Sequence, residues 1–203
     1  MFGDSLTAFG FHEDGWGLLL TTYLTTKFDV LNRGLSGYNS KTALAFVKQV
    51  FEGISSPHLI TICFGANDCN IGSCQYVSLE EYNLNMQQIV SSLREMYPNT
   101  HLVLITPPAL DNSKDIDGRT NEIAEKYANV VKTIAQERNL KCIDLWGEMQ
   151  KEEKWTDFLL DGLHLSREGN KFLFLKFQSP WKELCGDIQE IPRPFPNWRA
   201  LLK

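Results

Sequence analysis

No stretch of this chain is apolar for long enough to cross a bilayer. Its purely apolar strings, such as Leu102 to Ile105, are far shorter than the roughly 20 residues a spanning helix needs. No basic segment followed by an apolar one opens the chain, so no secretory leader is read, and no membrane insertion is expected. No run of Lys or Arg is present and the net charge is −5, which leaves no electrostatic footprint for a nucleic-acid partner. Cysteine is sparse, an odd and scattered set of five at Cys63, Cys69, Cys74, Cys142 and Cys185. That pattern reads as free thiols in a reducing, cytoplasmic setting. Cys69 and Cys74 lie close together, but no His or second Cys pair accompanies them, and structural zinc asks for four such ligands. His12, His58 and His101 have no partner pattern and are read as structural or exposed. No metal site is expected.

What is present is ordinary globular material: 203 residues, 43% of them hydrophobic, enough for one domain with its own core. Apolar periodicity and chain breakers alternate regularly. Trp16 to Phe28, Lys41 to Gly53, Leu79 to Tyr97, Arg119 to Arg138 and Ser166 to Leu184 read as helices. Ser78 followed by Glu81 has the spacing of a capping box. Between the helices, Asp29 to Leu31, His58 to Phe64, His101 to Thr106 and Lys141 to Leu145 read as strands. Continuous apolar strands alternating with longer helices predict βαβ units around a parallel sheet buried on both faces. Residues 1–187 are read as one domain. Residues 188–203 form a tail rich in proline, with Phe195 and Trp198; it is read as a packed terminal extension, with a homodimer contact as the alternative.

In an open parallel sheet, sites form in the crevice beyond the carboxyl ends of the strands. Three polar clusters fall at such ends, GDSL at 3–6, LSGYNS at 35–40 and GAND at 65–68, and LLDGLHLS at 159–166 precedes the last helix. Ser5 is a poor nucleophile until a base removes its proton. Asp161 and His164 supply one: across three residues of turn the carboxylate reaches the imidazole Nδ1–H, leaving Nε2 to accept the serine proton. Three donors suit a developing oxyanion: the backbone N–H of Ser5, that of Gly37, and the side-chain amide of Asn67. Each has a plainer reading taken singly. Asp161 caps the next turn, His164 is a half-buried polar residue, Gly37 is a turn glycine and Asn67 ties down a loop. Their joint occurrence at separate strand ends favours catalysis. Trp16, Tyr38, Pro107 and Pro108 are candidates to line the substrate pocket, with core packing an equal reading for Trp16.

FGDSLT, NRGLSGYNS, FGANDCN and DGLHLS resemble, in order, the four signature blocks of the GDSL or SGNH hydrolases. The resemblance spans residues 2 to 169. The fuller strings DVLNRGLSGYNS and DGLHLSREGNKFLF are most similar to the isoamyl acetate-hydrolysing esterase branch. It implies a three-layer α/β/α sandwich with a flavodoxin-like, five-stranded parallel sheet. Ser5 would be the nucleophile, Gly37 and Asn67 would complete the oxyanion hole, His164 would be the base and Asp161 would orient it, with neither metal nor organic cofactor. The expected substrate is a small-molecule carboxylic ester, an acetate of a short alcohol. Another acyl preference, as in a lysophospholipase or thioesterase, remains open, as does a non-catalytic scaffold on the same fold.

One departure stands out. The resemblance implies an apolar strand of five or six residues ahead of FGDS, whereas only Met1 and Phe2 precede it. An absent interior strand would leave buried backbone groups unpaired, at about 1–3 kcal/mol each, open a void, and loosen the turn that aims Ser5. The expectation is that a start at residue 1 is incomplete for the working enzyme. Either Met1 is internal to a longer chain, or the product is truncated and folds poorly; the third reading is a slot left empty or filled by another segment.

Overall fold

In the computed structural model, which describes residues 1–196, five parallel strands form one sheet in the order β2-β1-β3-β4-β5. They are β1 (Phe2–Gly3), β2 (Arg33–Gly34), β3 (Leu59–Cys63), β4 (His101–Ile105) and β5 (Lys141–Ile143). Alternate residues of the long strands face opposite ways, as the pleat requires. Ile60, Ile62, Phe64, Leu102 and Leu104 pack on one side under α3 (Ser40–Val50), α4 (Leu79–Met96) and α5 (Asn121–Glu137). Cys63, Val103, Ile105 and Ile143 pack on the other, against α1 (Ser5–Ala8), α2 (Trp16–Leu24), α6 (Leu145–Met149) and α7 (Arg167–Cys185). The expected three-layer sandwich is therefore present.

The strand expected to be missing survives as two residues in the interior slot. Phe2 and Gly3 pair with Arg33 and Gly34 on one side and with Ile62 and Cys63 on the other. The Phe2 ring, fully buried, stacks edge-on against Phe51 and Phe64. These contacts position the turn that follows. Beside Met1 lies a pocket of about 530 Å3 lined by Leu31, Phe51, Leu59, Phe177 and Trp181, among others.

Three boundaries differ from the sequence reading. The strand expected at Asp29–Leu31 forms instead at Arg33–Gly34, because a ladder exists only where β1 offers partners; Leu31 contributes just its carbonyl, which accepts from the Met1 amine. α5 begins after Thr120, whose side chain accepts from the Ile123 N–H, which leaves Arg119 outside the helix. Ser78 caps α4 through the Glu81 N–H, but the Glu81 carboxylate pairs with Lys41, so the box is only half made. All five cysteines are free thiols, and among the described residues no helix is long and apolar enough to cross a membrane. At the tail, Ile188 is buried and its carbonyl accepts from Lys27, while Phe195 is exposed; Trp198 lies outside the described residues.

Candidate active site

The Ser5 turn is built by its neighbours. Gly3 has no room for a side chain, since a Cβ would sit 2.2 Å from Thr7 Oγ1 and 2.5 Å from the Cys63 carbonyl. Asp4 caps α1 by accepting from the Leu6 N–H at 3.0 Å. Ser5 is thereby the first helical residue, and its N–H has no intrahelical acceptor.

His164 comes from the loop ahead of α7. Its Nε2 lies 3.0 Å from Ser5 Oγ, and its Nδ1 lies 2.7 Å from Asp161 Oδ2. The other carboxylate oxygen accepts from the backbone N–H groups of His164 and Leu163, at 2.8 and 3.0 Å. Partial burial works to raise the Asp161 pKa, but the His164 ring and these amides outweigh it and hold the carboxyl below its ordinary value. Ionised, Asp161 can only accept, so Nδ1 carries the proton and Nε2 is left with a lone pair facing the serine hydroxyl.

Gly37 occupies a left-handed turn at φ +81°, a conformation glycine adopts without steric cost. Its N–H enters no hydrogen bond among the described residues. The Asn67 amide donates to the Tyr38 carbonyl at 2.9 Å, leaving one amide hydrogen for another acceptor. Asp68 accepts from the Ser40 N–H at 2.9 Å, which ties the loop after β3 to the start of α3.

Two residues that the sequence reading passed over hold this half of the site. Arg119 is buried; its Nε donates to the Ala66 carbonyl at 2.7 Å, and its Nη2 to Asn67 Oδ1 at 3.1 Å and Gln75 Oε1 at 3.2 Å. The Gln75 amide in turn donates to the Gly37 carbonyl at 2.8 Å. One guanidinium thus fixes which way the Asn67 amide faces and braces the Gly37 turn. A signal existed: a cation just ahead of a helix N-terminus opposes the helix dipole, so its charge had reason to point elsewhere.

The four residues expected to line the substrate pocket are buried to different degrees. Trp16 is buried, with its Nε1–H on the Leu6 carbonyl at 3.0 Å, so it supports the nucleophile turn from the core. Pro107 and Pro108 are buried as well. Tyr38 is half-buried, packed on the core beside Phe46. A hollow of about 220 Å3 beside His164 is lined by apolar residues such as Leu6, Phe9 and Leu160 together with polar ones such as His12, Asp14 and Arg167. Phe9 and Leu160 are exposed, and the Phe9 ring centroid lies 5.4 Å from that of His164.

The pattern of the GDSL-like Lipase/Acylhydrolase family matches residues 1–172. The chain belongs to that family. This GDSL hydrolase is 41% identical to a GDSL esterase/lipase of Arabidopsis thaliana over 90% of its own length and 85% of the relative's. It is 37% identical to the isoamyl acetate-hydrolyzing esterase 1 homolog of Rattus norvegicus, covering 98% and 86% of the two chains. Among solved structures it superposes on the lipase/acylhydrolase of Enterococcus faecalis with a TM-score of 0.74, at 25% identity, covering 90% of this chain and 93% of that one. This GDSL hydrolase is a carboxylic ester hydrolase.

Proposed function

We propose that the chain hydrolyses small carboxylic esters, acetates of short-chain alcohols in particular, through an acyl-Ser5 intermediate. The hydrogen-bonded series Ser5–His164–Asp161, with gaps of 3.0 and 2.7 Å, carries the reading. Ser5 Oγ attacks the ester carbonyl carbon as its proton passes to His164 Nε2. The charge that develops on the carbonyl oxygen meets the N–H groups of Ser5 and Gly37 and the remaining amide hydrogen of Asn67; one such donor is worth about 3–4 kcal/mol in the transition state. Collapse of the tetrahedral intermediate breaks the bond to the alcohol, which leaves with the proton from His164. A water molecule then gives a proton to His164 and attacks the acyl carbon; collapse breaks the bond to Ser5 Oγ, which takes the proton back from His164 as the acid leaves. Asp161 stays ionised throughout, holding the tautomer and stabilising the imidazolium.

One finding supports a small acyl group. The similar rat protein carries isoamyl acetate in its name. A panel of acetate, butyrate and octanoate esters of one chromogenic alcohol tests the preference; kcat/KM is expected to fall along the series, and a rise toward octanoate refutes the acetate reading. A fluorophosphonate probe tests the mechanism. It is expected to add one label at Ser5 by intact mass and peptide mapping, and none to a folded Ser5→Ala. Ester turnover surviving in Ser5→Ala would remove the acyl-serine pathway.

A further inference from the structure

The triad sits at the carboxyl ends of the strands. At the opposite pole three side chains unrelated in sequence converge. His58 immediately precedes β3 and His101 opens β4; the two are adjacent across the ladder, with the His101 N–H donating to the His58 carbonyl at 3.1 Å. Their rings lie 5.7 Å apart, centroid to centroid, at 74°. Cys185 ends α7, just before a cap at Gly186. One ligand atom from each of the three lies within 4.8 Å of the others.

We propose that His58, His101 and Cys185 form a binding site for a thiophilic divalent cation, Zn2+ in the first place. Two imidazoles and a thiolate are a ligand set that zinc accepts, with water completing the tetrahedron. At zinc–nitrogen and zinc–sulfur distances of about 2.0–2.3 Å, the three ligand atoms stand about 3.3–3.6 Å apart. Side-chain rotation of roughly 1 Å closes the set. The fold fixes all three backbones close together, because His58 immediately precedes β3, His101 opens β4 and Cys185 ends a helix that packs against the same sheet. The rings of Phe28 and Trp181, with centroids 5.0 and 6.2 Å from that of His58, restrict how that imidazole turns. Nearby cations are engaged: Lys141 pairs with Glu183, Lys182 with Asp187, and Arg94 donates to the Thr100 carbonyl. Cys185 enters as a thiol, the ordinary form of a free cysteine near neutral pH. Binding forms the S–Zn bond and releases that proton to solvent.

A metal here would staple the end of α7 to the start of β4 and to the residue ahead of β3, close to the 530 Å3 pocket, which His58 and Trp181 also line. The expected effect is on stability, with no part in ester chemistry. The test uses the full chain, freed of metal and titrated with Zn2+, with Co2+ as a spectroscopic substitute. Expected are one tight equivalent, a sulfur-to-cobalt charge-transfer band, a higher Tm, and slower maleimide labelling of Cys185 while exposed Cys74 continues to react. Cys185→Ser should abolish the cobalt band, and His58→Gln, at an exposed position, should weaken Zn2+ binding at least tenfold, about the low end for disturbing a metal's shell. Both variants should keep ester turnover. An unchanged cobalt band in Cys185→Ser, or Zn2+ binding that leaves Cys185 labelling as fast as before, would overturn the proposal and place the metal elsewhere, for instance on His164 and Asp161.

Discussion

At the scale of single residues, Arg119 carries much of the site without belonging to the Ser5–His164–Asp161 series. Its planar fork serves Ala66, Asn67 and Gln75 at once, and Gln75 passes the constraint on to Gly37. Lysine keeps the charge but offers a point in place of a fork. Arg119→Lys is therefore expected to lower kcat by about tenfold to 10²-fold, the penalty typical of a small misplacement near the chemistry, with KM little changed. Steady-state kinetics on one acetate ester reads this split, and a parallel rise in KM with constant kcat would refute it. The effect should also overlap with that of Asn67→Ala: if Arg119 acts through the amide, the double variant loses less than the two single losses combined. Full additivity would assign Arg119 a structural role only.

At the scale of elements, the turn that presents Ser5 depends on the close approach of Gly3 to Thr7 and Cys63. Gly3→Ala forces a methyl into backbone, and overpacking of this kind costs about 1–3 kcal/mol. Urea unfolding followed by tryptophan fluorescence should show a lower midpoint, with esterase activity falling too; an unshifted midpoint contradicts the packing account. This element was legible in the sequence, because a glycine, a short capping carboxylate and a serine in succession announce a turn. So were β3 and β4, whose apolar runs are buried on both faces. The position of β2 was not, since Arg33 and Gly34 become a strand only by pairing with Phe2 and Gly3. Neither was the bend that takes Arg119 off the start of α5. The His58–His101–Cys185 cluster was equally hidden, because its members meet only once strand order and the length of α7 are fixed.

At the scale of the whole molecule, the fold holds two carboxyls under the catalytic edge that are poorly solvated there. Asp4 is fully buried, and burial, partly offset by the Leu6 N–H, pushes it up from 3.8 to about 7. Burial likewise raises Asp68 to about 6, against the pull of its hydrogen bonds to Ser40. The Oδ2 of each has no hydrogen-bond partner among the described residues. Both folded values exceed the unfolded ones, so between about pH 4 and pH 7 the native state holds protons that the unfolded chain has released. Stability from these groups is present at the acid end of that window and declines as pH rises through it. Asparagine at position 4 keeps an acceptor for the Leu6 N–H and cannot ionise. The Tm of Asp4→Asn should therefore exceed that of the parent chain at pH 8, by a margin that shrinks toward pH 5. A margin independent of pH would mean that Asp4 is accommodated as a charge in the folded state, and that the strain under the catalytic turn lies elsewhere.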